Sequence, residues 1–304
     1  MLAITMGDPN GIGPEIINKL LQQEKLPADT LIIGNRQALE AFGPINYEVI
    51  DPFGPLTEYN QGRATKQNGA ASYAYITHAI QLATAKKISG IVTAPINKEA
   101  LHLAGYAFDG HTEILAAQTG TTNFGMMFAS SALNIMLTTI HKSLRAVPDM
   151  ITQEKVRTTI TLGRQGMADL GLTNPRIAVC GLNPHAGENG IFGTEECEIL
   201  KPVIQAYQAQ GVSIAGPFPA DTVFTPTQRS KYDLIIAHYH DQGLIPLKML
   251  AFDSAVNITV GLPIVRTSVD HGTAYDIVGQ GIASTESLKQ AIILADRIAK
   301  NRHD

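Results

Sequence analysis

Three histidines, each at the end of an apolar, strand-like run, are the residues best suited to chemistry in this sequence. His141, His185 and His240 all stand beside turn-forming or polar residues. Three imidazoles that leave one position open would form a catalytic zinc site or a related divalent site. Because the three lie tens of residues apart, unlike the ligands of a local metal motif, spacing alone does not distinguish them from satisfied core histidines.

Ionisable and amide side chains are also dense in the stretch 232–281. An apolar run there ends in His-Tyr-His-Asp-Gln-Gly, and Lys248, Asn257 and Arg266 follow, each beside apolar or Gly/Pro-rich sequence. Lys and Arg at such positions supply positive charge for a carboxylate or a phosphate. Solvated surface charges are the alternative, which the apolar flanks disfavour. Since α/β proteins bind ligands beyond the carboxyl ends of strands, this stretch is typical of a binding site.

Other polar residues stand where predicted helices begin. The segment 7–15, Gly-Asp-Pro-Asn-Gly-Ile-Gly-Pro-Glu, joins a short strand to a helix and could bind an anion through its backbone amides. It lacks a Walker ending and a full GxGxxG, so a tight turn that needs glycine for its geometry fits equally well. For Asn97, helix capping explains the residue as well as a pocket role does. Capping is favoured for Thr112, whereas His111 can present its ring to an anion.

Strands and helices alternate along the chain. Strands are predicted at 2–6, 30–33, 47–50, 90–94, 124–129, 133–140, 176–180, 212–214 and 234–237, and helices at 16–21, 37–42, 68–86, 151–170 and 194–210. This alternation favours an α/β fold with mostly parallel sheets and helices on both faces.

Composition limits the class of protein. The 304 residues, 44% of them apolar, suffice for one large domain or two lobes. A net charge of -4 and a pI near 6.1 give no general attraction for nucleic acid or an anionic membrane. Two cysteines, Cys180 and Cys197, cannot build a disulfide framework, and the N-terminal apolar run is too short for a signal peptide or a membrane span. We therefore expect a cytoplasmic protein.

Six blocks, in order along nearly the whole chain, resemble the 4-hydroxythreonine-4-phosphate dehydrogenase (PdxA) family. They are 6–15, 93–98, 110–113, 182–188, 239–243 and 266–274. The resemblance implies a two-lobed α/β/α fold of the isocitrate/isopropylmalate dehydrogenase type, which is not a Rossmann fold and so accounts for the incomplete GxGxxG. The lobes implied are 1–120 with 241–304, on the cofactor side, and a central dimerising lobe, 121–240.

Site residues follow from the same resemblance. Matching the blocks assigns a divalent metal to His141, His185 and His240, which with Lys248 are the catalytic residues. Substrate contacts would be His111, Thr112, Asp221, Lys248, Asn257 and Arg266. The segment 271–277 also resembles the adenine-side cofactor loop of isopropylmalate dehydrogenases, which assigns cofactor binding to His271, Gly272, Thr273, Ala274 and Asp276. His238 matches no ligand position and is interpreted as a packing residue or one that supports the ligands.

The reaction implied is oxidation of 4-phosphohydroxy-L-threonine by NAD or NADP at the beta-hydroxyl, followed by decarboxylation to 3-amino-2-oxopropyl phosphate in vitamin B6 synthesis. The metal would be zinc, with magnesium or cobalt as alternatives. The resemblance also implies a homodimer whose active site borrows residues from both chains.

Three alternatives remain open. The sequence Lys142-Ser143-Leu144 stands where the vitamin B6 enzymes more often carry a hydrophobic residue, Pro and Leu, so the substrate could instead be 4-phospho-D-threonate or 4-phospho-D-erythronate. A zinc hydrolase of a phosphorylated metabolite would use the same histidines to activate water. The third alternative is a non-catalytic metabolite-binding protein. The presence of all three histidines together with Lys248 and Arg266 disfavours it, because such a protein need not retain every one of them.

Overall fold

The computed structural model describes residues 1–24, 26–27, 29–57 and 59–303. Its strands are β1 Leu2–Thr5, β2 Leu31–Ile33, β3 Glu48–Ile50, β4 Gly90–Thr93, β5 Gly125–Ala129, β6 Ile135–Leu137, β7 Ile177–Cys180, β8 Ile214–Phe218, β9 Leu234–Ala237, β10 Val256–Val260 and β11 Arg266–Val269. Its α-helices are α1 Gly13–Gln23, α2 Arg36–Glu40, α3 Lys66–Thr84, α4 Lys98–Leu103, α5 His111–Thr119, α6 Val147–Met150, α7 Gln153–Asp169, α8 Lys201–Gln208, α9 Ala220–Val223, α10 Pro226–Arg229, α11 His240–Ala251 and α12 Glu286–His303. None of the helices in these ranges combines the length and apolarity that crossing a bilayer requires.

The chain forms two compact units, the first from Met1–Thr122 with Leu262–Asp304 and the second from Asn123–Gly261. The first division falls close to the expected one, near 120. The second falls after 261, whereas we expected it near 240. The reason is tertiary pairing, because β10 runs antiparallel to β5 and α11 packs against β6 and β9, all within the second unit.

A parallel five-stranded sheet forms the centre of the first unit. The strand order is β3-β2-β1-β4-β11, and each neighbouring pair is parallel. The central strands β1 and β4 are completely buried, in keeping with their continuous apolar sequence. Helix α1 begins at Gly13, three residues before the predicted start, and Pro14 lies in its first turn, where an N–H would have no intrahelical partner.

Six strands form the sheet of the second unit, in the order β10-β5-β6-β9-β7-β8. The pairs β6–β9, β9–β7 and β7–β8 are parallel, whereas β5 is antiparallel to both β6 and β10. The prediction of a mostly parallel α/β fold is therefore confirmed, with β5 as its exception. Strand β6 ends at Leu137, so His141 lies in the following loop and not directly at the strand end.

Helices cover both faces of this second sheet. Gly163 of α7 faces Leu234 and Ile236, while Gly243 of α11 faces Leu137 and Ala237. Since successive side chains of a strand point to opposite faces, α7 and α11 lie on opposite sides of β9. The predicted two-sided arrangement is thus observed in this unit, and it aligns the N-terminus of α11 with the end of β9.

Several element boundaries differ from the predictions, and two of the differences have a clear physical cause. The predicted helix 194–210 begins with a π-helical turn, Glu196–Leu200, before α8. Pro202 lies at the start of α8 and has no N–H to donate to the preceding turn, which disrupts the regular α-helical ladder there. The predicted strand 212–214 instead begins at Ile214, where pairing with Ile177 starts.

Candidate functional site

Two of the three predicted metal histidines lie together. The ring centroids of His141 and His240 are 5.8 Å apart, with 42° between their planes. His240 is the first residue of α11, and its Nδ1 lies 2.7 Å from Asp241 Oδ1. A carboxylate on one ring nitrogen fixes the tautomer and leaves Nε2 as the electron-pair donor, which is the usual arrangement of a metal-binding histidine. The pair therefore fits two positions of a divalent metal site.

The third histidine, His185, lies in a separate exposed turn, with its ring centroid 5.9 Å from that of Phe192. Among the described residues there is no ready group of three or more His, Cys, Asp or Glu side chains arranged to hold a metal. The single chain thus brings His141 and His240 together but does not gather His185 with them, and the three-histidine site stays a prediction.

His238 is directed into the protein. It is completely buried, its Nε2 lies 2.7 Å from the carbonyl oxygen of Cys180, and its Nδ1 lies 3.2 Å from Thr138 Oγ1. Burial lowers the pKa of this imidazole to about 4, so it is neutral and donates from Nε2 to the carbonyl. Gln242 adds two bonds, accepting from the amide of His238 and donating to the carbonyl of Gly181. This geometry agrees with the packing interpretation of His238.

The other predicted residues of the second unit occupy different surroundings. His240 and Lys248 lie two turns apart on α11 and line one shallow groove with Leu244. Asn257 on β10 has a buried Oδ1 with no hydrogen-bond partner among the described residues, which suits a ligand contact. Asp221 is exposed in the first turn of α9.

In the first unit, Arg266 and His111 are two buried, electrostatically coupled groups, of which only Arg266 is charged. Arg266 is 3% exposed, and its guanidinium donates to Thr93 Oγ1 at 2.9 Å. Burial lowers its pKa to about 9, which the nearby Glu113 carboxylate opposes, so the group stays charged at pH 7. Burial and the Arg266 charge hold the pKa of His111 well below its ordinary value, and its Nε2 has no partner among the described residues. A charged guanidinium and a neutral imidazole suit a bound anion.

Capping explains one of the helix-start residues but not another. Asn97 caps α4, one of the two roles left open from the sequence, with its side chain accepting from the amide of Ala100 at 2.8 Å. The capping role expected for Thr112 is wrong. Gly110 is the N-cap of α5, where no side chain of the described residues bonds the free amides, and Thr112 is buried inside the first turn.

The predicted cofactor segment is held against the loop 7–15. Thr273 accepts a bond from the amide of Ile12 at 3.0 Å through its carbonyl, and the hydroxyl of Tyr275 donates to Asp8 Oδ2 at 2.5 Å. Ala274 has a φ of 43°, a left-handed conformation that a residue with a Cβ rarely adopts. His271, Gly272 and Asp276, the other predicted cofactor residues, belong to the same segment, of which only Thr273 is buried.

Most amides of the loop 7–15 are used within the protein. Those of Asp8, Asn10, Gly11 and Ile12 donate to Pro95, to the side chain and carbonyl of Asp8, and to Thr273. The structure therefore favours the tight-turn interpretation over an anion site. At Gly13 an added Cβ would lie 2.1 Å from the carbonyl oxygen of Met6, so this turn has no space for a side chain.

Two buried carboxylates were not identified from sequence. Asp8 is completely buried and accepts from the amide of Asn10, from Asn68 Nδ2 and from Tyr275. Burial raises its pKa, and these three hydrogen bonds oppose that rise. Glu196, expected to sit in the first turn of a helix, is also completely buried and accepts from the 182–183 backbone. An Asp directly after a buried strand was a usable signal for Asp8, whereas Glu196 gave none.

Comparisons with known proteins agree with this arrangement. The sequence profile described as "Pyridoxal phosphate biosynthetic protein PdxA" matches residues 14–295. A 4-hydroxythreonine-4-phosphate dehydrogenase from Desulfosudis oleivorans is 43% identical, covering 97% of this chain and 95% of that protein. A D-threonate 4-phosphate dehydrogenase from Pectobacterium atrosepticum is 41% identical, covering 98% and 99%.

Solved structures show the same relationship. The crystal structure of 4-hydroxythreonine-4-phosphate dehydrogenase from Klebsiella pneumoniae is 43% identical, with a TM-score of 0.86 over 98% of this chain and 99% of that chain. A beta-decarboxylating dehydrogenase from Thermococcus kodakarensis, 15% identical with a TM-score of 0.52 over 98% of this chain and 83% of that chain, shares the fold. The expected isocitrate/isopropylmalate dehydrogenase-like fold is confirmed, and the chain belongs to the PdxA family.

Proposed function

We propose that this protein is an NAD- or NADP-dependent dehydrogenase that oxidises 4-phosphohydroxy-L-threonine at its beta-hydroxyl. Decarboxylation of the product then yields 3-amino-2-oxopropyl phosphate, a step of pyridoxine biosynthesis. Membership of the PdxA family and relatives named 4-hydroxythreonine-4-phosphate dehydrogenase support the reaction. The structural observation that best supports this reaction is the buried, charged Arg266 guanidinium near the neutral ring of His111. Together these groups are suited to bind an anionic group of a phosphorylated acid.

Recognition of the substrate would rest on these groups. Arg266 would bind the phosphate or the carboxylate through its planar fork, and Thr93 Oγ1, which accepts from that fork, holds its orientation. The unpartnered Nε2 of His111 would donate to the same anion without adding a second full charge. Thr112 lies next to His111 in the first turn of α5, and we assign it to the same anion. Lys248, Asn257 and Asp221 of the second unit would contact the substrate at its other groups.

His141 and His240, with His185, would hold the divalent metal, which we propose to be zinc, with magnesium or cobalt as alternatives. When bound, the metal supplies Lewis acidity that lowers the pKa of the substrate hydroxyl, and the nicotinamide accepts the hydride. In this chain Asp241 keeps His240 in the tautomer that leaves Nε2 able to bind a metal. The segment 271–276, held by Asp8 and Ile12, would contact the adenine side of the cofactor.

We further propose that the active protein is a homodimer and that a second copy covers the exposed apolar surface of the second unit. That surface comprises Leu144, Ile191, Phe192, Ile245, Met249 and Phe252, which are 50% to 81% exposed. It lies on the segments that carry the three predicted metal histidines. Exposed apolar side chains of this size beside a candidate site are typical of a protein interface. We also propose a cytoplasmic location, because Cys180 and Cys197 are free thiols.

A second candidate substrate is 4-phospho-D-threonate, with 4-phospho-D-erythronate as its isomer. Relatives named D-threonate 4-phosphate dehydrogenase are 41% and 42% identical to this chain, nearly equal to the 43% of the vitamin B6 enzymes. The second kind of substrate carries a hydroxyl where the first carries an amine, so the same phosphate and metal residues would serve both. The dehydrogenase names disfavour the zinc hydrolase considered from the sequence.

The test is the formation of NADH or NADPH by purified, zinc-supplemented protein with the three phosphorylated acids in parallel. Turnover of 4-phosphohydroxy-L-threonine alone would support the first proposal, and turnover of a phosphorylated sugar acid alone would support the second. If no acid reduced either cofactor while one of them lost its phosphate, the hydrolase would replace both.

A further inference from the structure

His185 lies in a left-handed turn of the backbone. Five consecutive residues, 185–189, have positive φ values of 52°, 51°, 78°, 41° and 57°, and all of them except Gly187 have a ψ between 28° and 54°, in or close to the left-handed helical region. Only the central one, Gly187, is a glycine. The left-handed region brings the Cβ of an L-residue close to the following carbonyl, so residues other than glycine usually visit it one at a time. The turn is therefore unfavourable at its four residues other than Gly187.

Packing of the turn's own side chains does not offset this strain. His185, Glu188 and Asn189 are exposed, and so are Ile191 and Phe192, which follow directly. A conformation that is unfavourable and also exposes its side chains persists only when its surroundings impose it. Such outliers cluster at functional sites, where the geometry serves a ligand.

The group that imposes the turn is the buried carboxylate of Glu196. Its Oε1 accepts from the amides of Leu182 and Asn183, both at 2.7 Å, and its Oε2 accepts from Asn183 Nδ2 at 3.0 Å. These three bonds fix the residues that lead into the turn. They also supply the hydrogen-bond donors that a fully buried carboxylate requires. The carboxylate and the turn therefore stabilise each other.

The turn packs closely around Glu196. A Cβ added at Gly187 would lie 2.6 Å from Glu196 Oε2, and one added at Gly181 would lie 2.8 Å from Ala186 Cα. Glu196 itself begins the π-helical turn that precedes α8. Single π-turns of this kind occur frequently at functional sites.

We propose that Glu196 is a positioning residue, which holds the segment 182–190 in the left-handed turn so that His185 can bind the divalent metal. The inference rests on the proposed metal site and adds a residue that would not touch the ion. It explains why a strained turn is kept at the surface, because the exposed imidazole at its start is the group it presents.

The test compares Glu196→Gln with Glu195→Gln in the full-length protein. Glutamine keeps the size of the side chain, but its neutral carbonyl oxygen accepts from the two amides more weakly than a carboxylate does. Its NH2 group would also face Asn183 Nδ2, so that two donors oppose each other. Glu195 is the matched control, because it is adjacent and its carboxylate also accepts from Asn183 Nδ2, at 2.7 Å, but it does not bond the 182–183 amides. Two readouts are needed, the zinc affinity from competition with a chromophoric chelator and the hydrogen exchange of the Leu182 and Asn183 amides.

Glu196→Gln should speed exchange of both amides and weaken zinc binding roughly 10- to 100-fold, the usual effect of removing a group that orients a metal ligand. Glu195→Gln should leave both readouts close to wild type. If Glu196→Gln did not fold, Gly187→Ala is the second variant, since its Cβ would disturb the same turn while the carboxylate is kept. The same loss of zinc affinity is expected for it.

Faster amide exchange with unchanged zinc affinity in a folded variant would overturn the inference while leaving the metal site in place. Equal losses for Glu196→Gln and Glu195→Gln would also overturn it, because the effect would then follow charge and not the bonds to the backbone. A wild-type protein that bound no zinc would instead refute the metal assignment on which the inference rests.

Discussion

At the scale of single residues, the electrostatics of the first unit depend on two buried groups. Arg266 keeps its charge despite burial, because a pKa of about 9 is still above neutral pH. His111 stays neutral, since protonation would place a second cation in the same desolvated region. The result is one fixed positive charge with a polar neighbour, which is suited to an anion and costs less desolvation than two cations.

Arg266→Lys should raise KM for the phosphorylated substrate at least roughly tenfold, because a charge-assisted hydrogen bond contributes about 1.5–3 kcal/mol and lysine cannot reproduce the planar fork. Steady-state kinetics would measure it. Arg36→Lys is the control, as Arg36 is an exposed partner of Glu40 in α2. An unchanged KM in Arg266→Lys would remove this residue from the substrate site.

His111 should also make stability depend on pH. Its folded pKa is lowered, so below the unfolded pKa of about 6.5 the unfolded chain binds a proton that the folded protein does not. The stabilisation from the neutral ring is complete above pH 6.5 and declines as the pH falls, by up to about 1.4 kcal/mol per pH unit. The free energy of unfolding, measured with urea at several pH values, should change less steeply with pH below 6.5 for His111→Gln than for wild type. An identical slope would contradict the assignment.

At the scale of elements, strand ends and the loops after them do most of the positioning. The loop after β1 holds the segment 273–279, through Asp8 to Tyr275 and through Glu15, which accepts from the amide of Gly279. Asn68 of α3 donates to Asp8 as well, so three separate stretches of the first unit meet at one carboxylate. A buried carboxylate with three donors is a rigid junction, because loss of any donor leaves its charge undercompensated.

Tyr275→Phe removes one donor to Asp8 and should cost about 1–3 kcal/mol of unfolding free energy, the range for an unsatisfied buried group. If the segment 271–276 binds the cofactor, KM for NAD should rise while KM for the phosphorylated acid stays nearly constant. Tyr59→Phe is a suitable control, since among the described residues its hydroxyl bonds the exposed Gln61, from which it accepts. Equal changes in both KM values would argue against a cofactor role for this segment.

At the scale of the whole molecule, the two units divide the proposed tasks. The first unit carries Arg266 and His111, the proposed anion-binding residues, and the proposed cofactor segment. The second unit carries the three predicted metal histidines. The second unit also carries the exposed apolar surface, with Met249 81% and Phe252 68% exposed at the end of α11. A self-complementary dimer would bury this surface on both copies at once.

Met249→Glu should therefore convert a dimer to a monomer and reduce turnover, because a carboxylate would be buried against an apolar surface at a large desolvation cost. Sedimentation velocity would measure the change. Ile293→Glu introduces the same charge at a 48% exposed apolar residue of α12 in the first unit and should leave the mass unchanged. A wild-type protein that sedimented as a monomer would refute the proposed dimer.

Much of the organisation could be predicted from local sequence. The alternation of strands and helices, the N-terminal Pro14 of α1 and the Asn97 cap of α4 depend on residues within a few positions of one another, so propensity and capping signals reveal them. The family blocks predicted the fold class correctly. The three histidines were proposed from the sequence as one metal set, and the structure brings two of them, His141 and His240, together.

The remaining features depended on tertiary structure. Tyr275 and Asp8, which are hydrogen-bonded, lie 267 positions apart. The chain re-enters the first unit only after 261, because β10 pairs antiparallel with β5 in the second unit. The left-handed turn at His185 could not be predicted either, since local preference opposes it at four of its five residues. The unfavourable free energy of this conformation is offset by hydrogen bonds to Glu196, which form only in the folded chain. Local sequence thus determined the elements and their order, whereas long-range hydrogen bonds and packing decided which side chains meet.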